Sequence, residues 1–366
     1  MPSLKELIHS LETLAPPAYQ ESYDNSGLIV GDPTIELTGV LLSLDCTEAV
    51  VEEAIRKGCN LVVAHHPIVF KGLKKLNGKN YVERTVIKAI QNDVAIYAIH
   101  TNLDHVPNGV NSMISARLGL QNVKILAPKR QTLLKLTFFI PANDASKVLD
   151  ALYAAGAGKI GNYAECSFQT SGEGTFRPLE GADPYSGVVG ELKRELEQRV
   201  ELMFPAHLER KVLRALRQNH PYEEVAYYLQ TLENENQEVG AGVVGELPEP
   251  LPLTYFLAHL KKSMQVSVIK YTASARETVS RVAVCGGAGS FLLPNALAVG
   301  ADAFVTADYK YHEFFDAENR IVICDIGHYE SEVFTKQLLH DCLSKRFGNF
   351  ALHLSETNTN PVAYYH

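Results

Sequence analysis

Leu4, Leu7, Ile8, Leu11 and Leu14 recur at the three- and four-residue spacing of a helix face, and Pro16-Pro17 stops the pattern. The spacing predicts one amphipathic helix over 4–14. Further along, short apolar runs alternate with helical patterns: Val40 to Leu44 then Thr47 to Lys57, Leu61 to Ala64 then Val82 to Ile90, Val94 to Ile99 then Val110 to Leu118. That order predicts a largely parallel sheet covered by helices. It returns near the end at Val282-Ala283-Val284, Ala303-Phe304-Val305 and Ile321-Val322-Ile323-Cys324. The expected fold class is α/β, a parallel-rich sheet with flanking helices in two half-domains, interrupted by a segment of different grammar.

The interrupting segment repeats itself. Pro141-Ala142 with Lys147-Val148-Leu149-Asp150-Ala151-Leu152 matches Pro205-Ala206 with Lys211-Val212-Leu213-Arg214-Ala215-Leu216 at a constant offset of 64 residues. An apolar run precedes each copy, Leu134 to Ile140 and Val200 to Phe204, and Glu224 to Leu229 follows the second. A duplicated strand-helix-strand plan closes most naturally as a ferredoxin-like α+β unit. The expected boundaries are 1–127 and 240–366 for the two halves of the core and 128–239 for the insert.

Composition narrows the function classes. In 366 residues, Lys+Arg 34 against Asp+Glu 42 leaves a net charge of −8, so no basic footprint for nucleic acid is visible at the level of the whole chain. Hydrophobic content of 46% with 21% charged residues is that of an ordinary globular protein. No apolar run approaches the ~20 residues of a membrane span, and Met1 to Leu7 has no signal-peptide pattern. The six cysteines are scattered without a CxxC pair, which favours reduced thiols and a cytoplasmic location over disulfides or a Cys-type zinc site.

Ionisable residues gather where the predicted strands end. His65-His66-Pro67 follows Leu61 to Ala64, and His100-Thr101-Asn102-Leu103-Asp104 follows Val94 to Ile99. Asp308 and His312 follow Phe304-Val305-Thr306, and Asp325, His328 and Glu332 follow Ile321 to Cys324. Ligands of open α/β sheets bind at the carboxyl ends of strands, and burying so many polar groups unpartnered would cost several kcal/mol. Imidazole and carboxylate without thiolate suit zinc, iron or manganese. His65, His66, Asp104, His328 and Glu332 exceed one tetrahedral shell. They suit two divalent ions per subunit bridged by a carboxylate, with Glu332, the longest one, as the bridge. His100, Asp308 and His312 are candidates for supporting the ligands, and His100 and His312 for carrying protons. Gly286-Gly287-Ala288-Gly289-Ser290 reads as a strand-to-helix turn, with phosphate binding by its amides the less favoured reading. His220-Pro221-Tyr222-Glu223-Glu224 reads as a turn with a solvated acidic face.

The chain resembles the Nif-three-like proteins, often labelled GTP cyclohydrolase I type 2 homologues. The resemblance rests on Tyr23-Asp24-Asn25-Ser26-Gly27-Leu28, Ala64-His65-His66-Pro67, His100-Thr101-Asn102-Leu103-Asp104, Cys285-Gly286-Gly287-Ala288-Gly289 and Gly327-His328-Tyr329-Glu330-Ser331-Glu332. It implies a toroidal homohexamer with a dinuclear metal centre in each subunit, held by His65, His66, Asp104, His328 and Glu332. Gly156-Ala157-Gly158, Gly161-Asn162-Tyr163 and His220 to Glu224 resemble the longer bacterial form, which implies a PII/CutA-like insert.

Two functions are open on this reading. One is a metal-dependent hydrolase acting through a metal-bridged hydroxide on a small substrate, nucleotides included. The other is a non-catalytic metal-binding or regulatory hexamer whose insert senses a ligand. Zinc is the first expectation for the metal, with no nucleic acid and no membrane as partner.

Overall fold

The computed structural model describes residues 2–273 and 277–365. It divides into two compact units, Met1–Ala127 with Glu238–His366, and Pro128–Gln237.

The first unit opens on the helix Leu4–Leu14. Ser3 and Glu6 form a capping box at its start, and Leu4, Leu7 and Leu11 are buried along one face. Four strands follow, β1 (Gly27–Val30), β2 (Val40–Ser43), β3 (Leu61–Ala64) and β4 (Ala95–Ala98). With the last strand, β15 (Leu352–Leu354), they form a sheet of order β1-β4-β3-β2-β15. All neighbours run parallel except β1, an antiparallel edge on β4. The register aligns Ser43, Ala64 and Ala98, so the residues that follow them leave the sheet together.

A second sheet is built from β5 (Gln121–Lys129), β10 (Asn236–Pro252), β11 (Lys270–Tyr271), β12 (Thr278–Ala288), β13 (Ala303–Ala307) and β14 (Val322–Asp325), in the order β11-β14-β13-β12-β10-β5. β12, β13 and β14 are parallel, while β10 and β11 pair antiparallel at the flanks. The expected α/β class is met as a mixed fold of several sheets and helices. The two halves of the core share strands: the C-terminal β15 completes the first sheet and the N-terminal β5 completes the second.

Alternation of side chains along the strands sorts the core into layers. Leu61 and Val63 join Val282, Val284 and Val305 in one central cluster, with Leu4, Leu7, Leu260 and Leu339 from helices. Val62 and Ala64 face outward against Val50, Val51 and Val86 of the helices Glu48–Arg56 and Tyr81–Gln91. Ala283 and Phe304 face outward against Leu293 and Ala296.

The second unit runs β6 (Leu133–Pro141), the helix Ala145–Ala154, β7 (Phe168–Phe176), β8 (Lys193–Pro205), the helix Glu209–Asn219 and β9 (Tyr227–Leu232). Its sheet order is β7-β8-β6-β9 with every pair antiparallel, the split βαβ arrangement. Val148, Leu152, Val212 and Leu216 from the helices pack on Leu136, Phe138, Val200 and Phe204. β7, which reads Phe-Gln-Thr-Ser-Gly-Glu-Gly-Thr-Phe, is an exposed edge strand without an apolar face.

Candidate metal centre

His65 and His66 continue β3 beyond its last residue. Their amides are held by the carbonyls of Ser43, the last residue of β2, and of Leu44 just after it, at 3.2 and 2.9 Å. His100 leaves β4 in the same direction, and the short helix Thr101–Asp104 brings Asp104 back to the strand ends. From the second sheet, Gly327 (φ 89°) turns the chain after β14 into the short helix His328–Glu332, whose i,i+4 spacing sets His328 and Glu332 on one face. Gly287 (φ 62°) makes room for them, since a Cβ there would lie 2.6 Å from Glu332 Oε1.

Each of four imidazoles is fixed through Nδ1. His65 Nδ1 donates to the Ile99 carbonyl at 2.8 Å, while His66, His100 and His328 bond to Asp45, Asp24 and Asp308, each at 2.7 Å. Anchoring at Nδ1 leaves Nε2 free to act, the usual arrangement behind a metal-binding histidine. His66 Nε2 lies 2.9 Å and His328 Nε2 3.1 Å from Glu332 Oε2, and the two nitrogens are 3.3 Å apart. Ligands on a tetrahedral ion with bonds of about 2.0–2.1 Å sit roughly 3.3 Å from one another, so these three donors already have the spacing of a tetrahedron's face. The other oxygen of Glu332, Oε1, is 3.9 Å from His65 Nε2, which is 3.6 Å from Asp104 Oδ1. His66, His328 and Glu332 form one group able to hold a metal ion, and His65, Asp104 and Glu332 form another.

His65 Nε2 and Asp104 Oδ1 are buried without a hydrogen-bond partner. Leaving a buried polar atom unsatisfied costs about 1–3 kcal/mol, and the two together offer a lone pair and a carboxylate to a cation. The residues therefore fit a divalent ion.

Charge within the cluster is already polarised. Burial raises the Asp104 carboxyl, and the nearby Glu332 carboxylate raises it further. Burial acts on Glu332 in the same sense, but hydrogen bonds from His328 and His66, with the His65 ring close by, outweigh it and hold this carboxyl well below the usual range. Burial disfavours charge on His66, yet Asp45 and Glu332 push it up to about 10. His328 is raised to about 9 by Glu332 and Asp308 against the same penalty. Asp24, although burial opposes ionisation, is kept ionised by hydrogen bonds from His100 and Thr101.

The five residues read from the sequence as ligands converge, and His100 joins them, its ring 5.3 Å from those of His65 and His66. His312 does not come to the cluster. It lies exposed in the 3₁₀-helix Tyr311–Ala317, stacked on Phe315 and beside Tyr311, and lines no part of the cavity at the metal groups. The glycine run does join a strand to a helix: Gly286 and Gly287 close β12, their amides donating to Asn111 Oδ1 and Ser331 Oγ, and Gly289 leads into the 3₁₀ turn Ser290–Leu292 and the helix Leu293–Ala298. Asp45, which follows β2 as His66 follows β3, carries no signal of its own in the sequence.

A cavity of about 870 Å³ opens over the cluster, with Tyr23, Phe70, Tyr81 and Phe291 among its walls. Comparison with known proteins bears on what it serves. A family model described as Duf34/NIF3 (NGG1p interacting factor 3) matches residues 2–361. A Bacillus subtilis protein described as "GTP cyclohydrolase 1 type 2 homolog" is 37% identical over 98% of both chains. Among solved structures, a Bacillus cereus protein related to NIF3 is 38% identical with a TM-score of 0.87, covering 100% of this chain and 99% of that one. A Staphylococcus aureus protein is 31% identical with a TM-score of 0.79 over the same shares.

Proposed function

The chain belongs to the Duf34/NIF3 family, and from that premise we propose that it is a metal-dependent hydrolase of a small substrate, with two divalent ions held in each subunit. One observation carries the reading: Glu332 turns Oε2 to His66 and His328 and Oε1 to His65, so one carboxylate belongs to two groups of donors. His66, His328 and Glu332 would hold one ion, and His65, Asp104 and Glu332 the other. The N/O donor set supports zinc first and also accommodates iron or manganese. Bound there, divalent ions supply Lewis acidity and bring the acidity of a water close to neutral pH.

The chain's own groups do the rest. Asp24 fixes the His100 ring through Nδ1, and Phe70 packs edge-on against it at 5.8 Å. His100 carries the proton to the leaving group from the wall of the cavity. Asp45 and Asp308 keep His66 and His328 in place.

The same reading takes the assembly as a homohexamer, Pro128–Gln237 as a PII/CutA-like insert and the compartment as cytoplasmic. Family membership supports the first, the split βαβ order the second and six free cysteines the third. No helix among the described residues is long and apolar enough to cross a membrane.

Metal analysis of untagged protein purified without chelator tests the stoichiometry, with two ions per chain expected and a larger loss in Glu332→Ala than in His312→Ala. Turnover on a pooled panel of nucleotides and phosphoesters, before and after metal removal, tests the chemistry. Full two-ion occupancy in Glu332→Ala overturns the bridging role. Metal-loaded protein that turns over nothing, and whose ring dissociates on metal removal, supports a metal-stabilised regulatory scaffold instead.

A further inference from the structure

The segment His220-Pro221-Tyr222-Glu223-Glu224 takes no part in the metal centre, and only half of it is a solvated turn. His220 is buried; its Nε2 donates to the Phe139 carbonyl at 2.9 Å and its Nδ1 accepts the Tyr222 amide at 3.1 Å. This neutral imidazole pins Tyr222 as one wall of a separate cavity of about 450 Å³ within the unit Pro128–Gln237.

Five aromatic rings line that cavity: Phe139, Phe176, Tyr185, Tyr222 and Tyr228. Tyr222 lies 6.0 Å from Phe176 and 5.9 Å from Tyr185, with the ring planes inclined at 54° and 50°. Phe139 and Tyr228 meet edge to face at 5.9 Å. The rings thus stand as angled walls rather than a flat stack.

The charge between them is negative. Glu197, Glu223 and Glu224 line the cavity against one cation, Arg177, whose Nη1 is committed to the Gly190 carbonyl at 2.6 Å. Tyr222 donates its hydroxyl to Glu197 Oε1 at 2.9 Å. Oε2 of Glu197 rests over Gly174, where a Cβ would come within 2.0 Å of it. Glycine at this place in β7 is what lets the carboxylate lie there.

Aromatic faces attract a cation through their quadrupoles, and a carboxylate beside them adds its full charge. An anion would meet three carboxylates, while a neutral apolar guest would strip water from Glu197 without replacing it. We propose that this cavity binds a small organic cation of the alkylammonium class, its charged nitrogen between the rings and Glu197 Oε2. The volume lies within the range of about 300–1,000 Å³ typical of small-molecule sites.

Titration calorimetry on the full-length, metal-loaded protein tests this with choline and n-butylammonium as probes and 3,3-dimethyl-1-butanol, the uncharged isostere of choline, as comparator. At least one cation should bind saturably, and the isostere roughly tenfold more weakly. Glu197→Gln and Tyr185→Leu should each weaken the bound cation several-fold. Tyr185 is 59% exposed, so its loss leaves the fold intact, to be checked by an unchanged melting temperature and metal content. No saturable binding of either cation, equal binding of the isostere, or unaltered affinity in both variants overturns the proposal.

Discussion

Thr359 donates its hydroxyl to Oδ2 of Asp45, while Oδ1 of the same carboxylate holds His66 Nδ1 at 2.7 Å. The C-terminal segment is thereby wired to the metal cluster. Asn360 bonds Glu330 at 3.0 Å, two residues before Glu332, and Pro361 reaches the cavity wall.

Removing that hydroxyl should loosen His66 through Asp45. Outer partners of metal-binding histidines typically govern about 10- to 100-fold in metal affinity, so Thr359→Val should weaken one ion by roughly tenfold while Thr359→Ser retains it. Competition with a chromophoric chelator gives both affinities. Equal affinities in Thr359→Val and the parent protein would show that the segment is only packed against the site.

Much of this arrangement is legible along the chain, and the reason lies in locality. Leu61 to Ala64 reads as a strand because it is a short, wholly apolar run, and the break at Pro67 marks where His65 and His66 emerge. Asp45 stands at the equivalent end of β2 but is a lone acid before a helix, where it looks like an ordinary turn residue. Residues 355–361 have no periodicity of their own. Their positions come from long-range bonds to Glu53 and Asp45 that no local pattern encodes. β7 escaped for a related reason, since an exposed edge strand with two glycines has no apolar alternation. His312 follows a strand end as the others do, but the 3₁₀-helix Tyr311–Ala317 points it elsewhere.

Metal loading should release protons. In the metal-free cluster His66 is raised to about 10 and His328 to about 9, and Asp104 is raised as well, so all three tend to hold protons at neutral pH. A metal takes the neutral imidazole and the carboxylate, and it must displace those protons. Affinity should therefore rise with pH through neutrality and fall as acid restores them. Calorimetry of metal binding in buffers of different ionisation enthalpy should report net release of protons at pH 7. Binding without net proton release would show that the histidines are already neutral.

Glu53 predicts a separate acid transition. Its side chain is 2% exposed and accepts bonds from Ser355 Oγ, the Glu356 and Thr357 amides, Thr357 Oγ1 and Lys57. Burial opposes its ionisation, yet these bonds hold it down at about 2. A folded-state value below the unfolded one contributes stability above about pH 4.3, which is lost as pH falls toward the folded value. Glu53→Gln should cost roughly 2 kcal/mol at pH 7 and flatten the loss between about pH 4.3 and 2. Denaturant melts of both proteins across that range check this; parallel pH profiles would remove Glu53 as the cause.

GTP should be a poor substrate. Its triphosphate needs cationic partners, commonly Arg or Lys, and the described residues lining the cavity over the metal cluster include neither. They include instead Glu21, Asp45, Asp104 and Glu332, so the walls repel a polyanion and leave only the histidines and any bound metal to attract it. Substrates with little negative charge suit such a site better, and nucleosides should outperform the matching triphosphates in a turnover screen. Formate release from GTP should be weak or absent. Steady metal-dependent formate release, abolished in Glu332→Ala and retained through rigorous purification, would show that the triphosphate is accommodated in a way these walls do not provide.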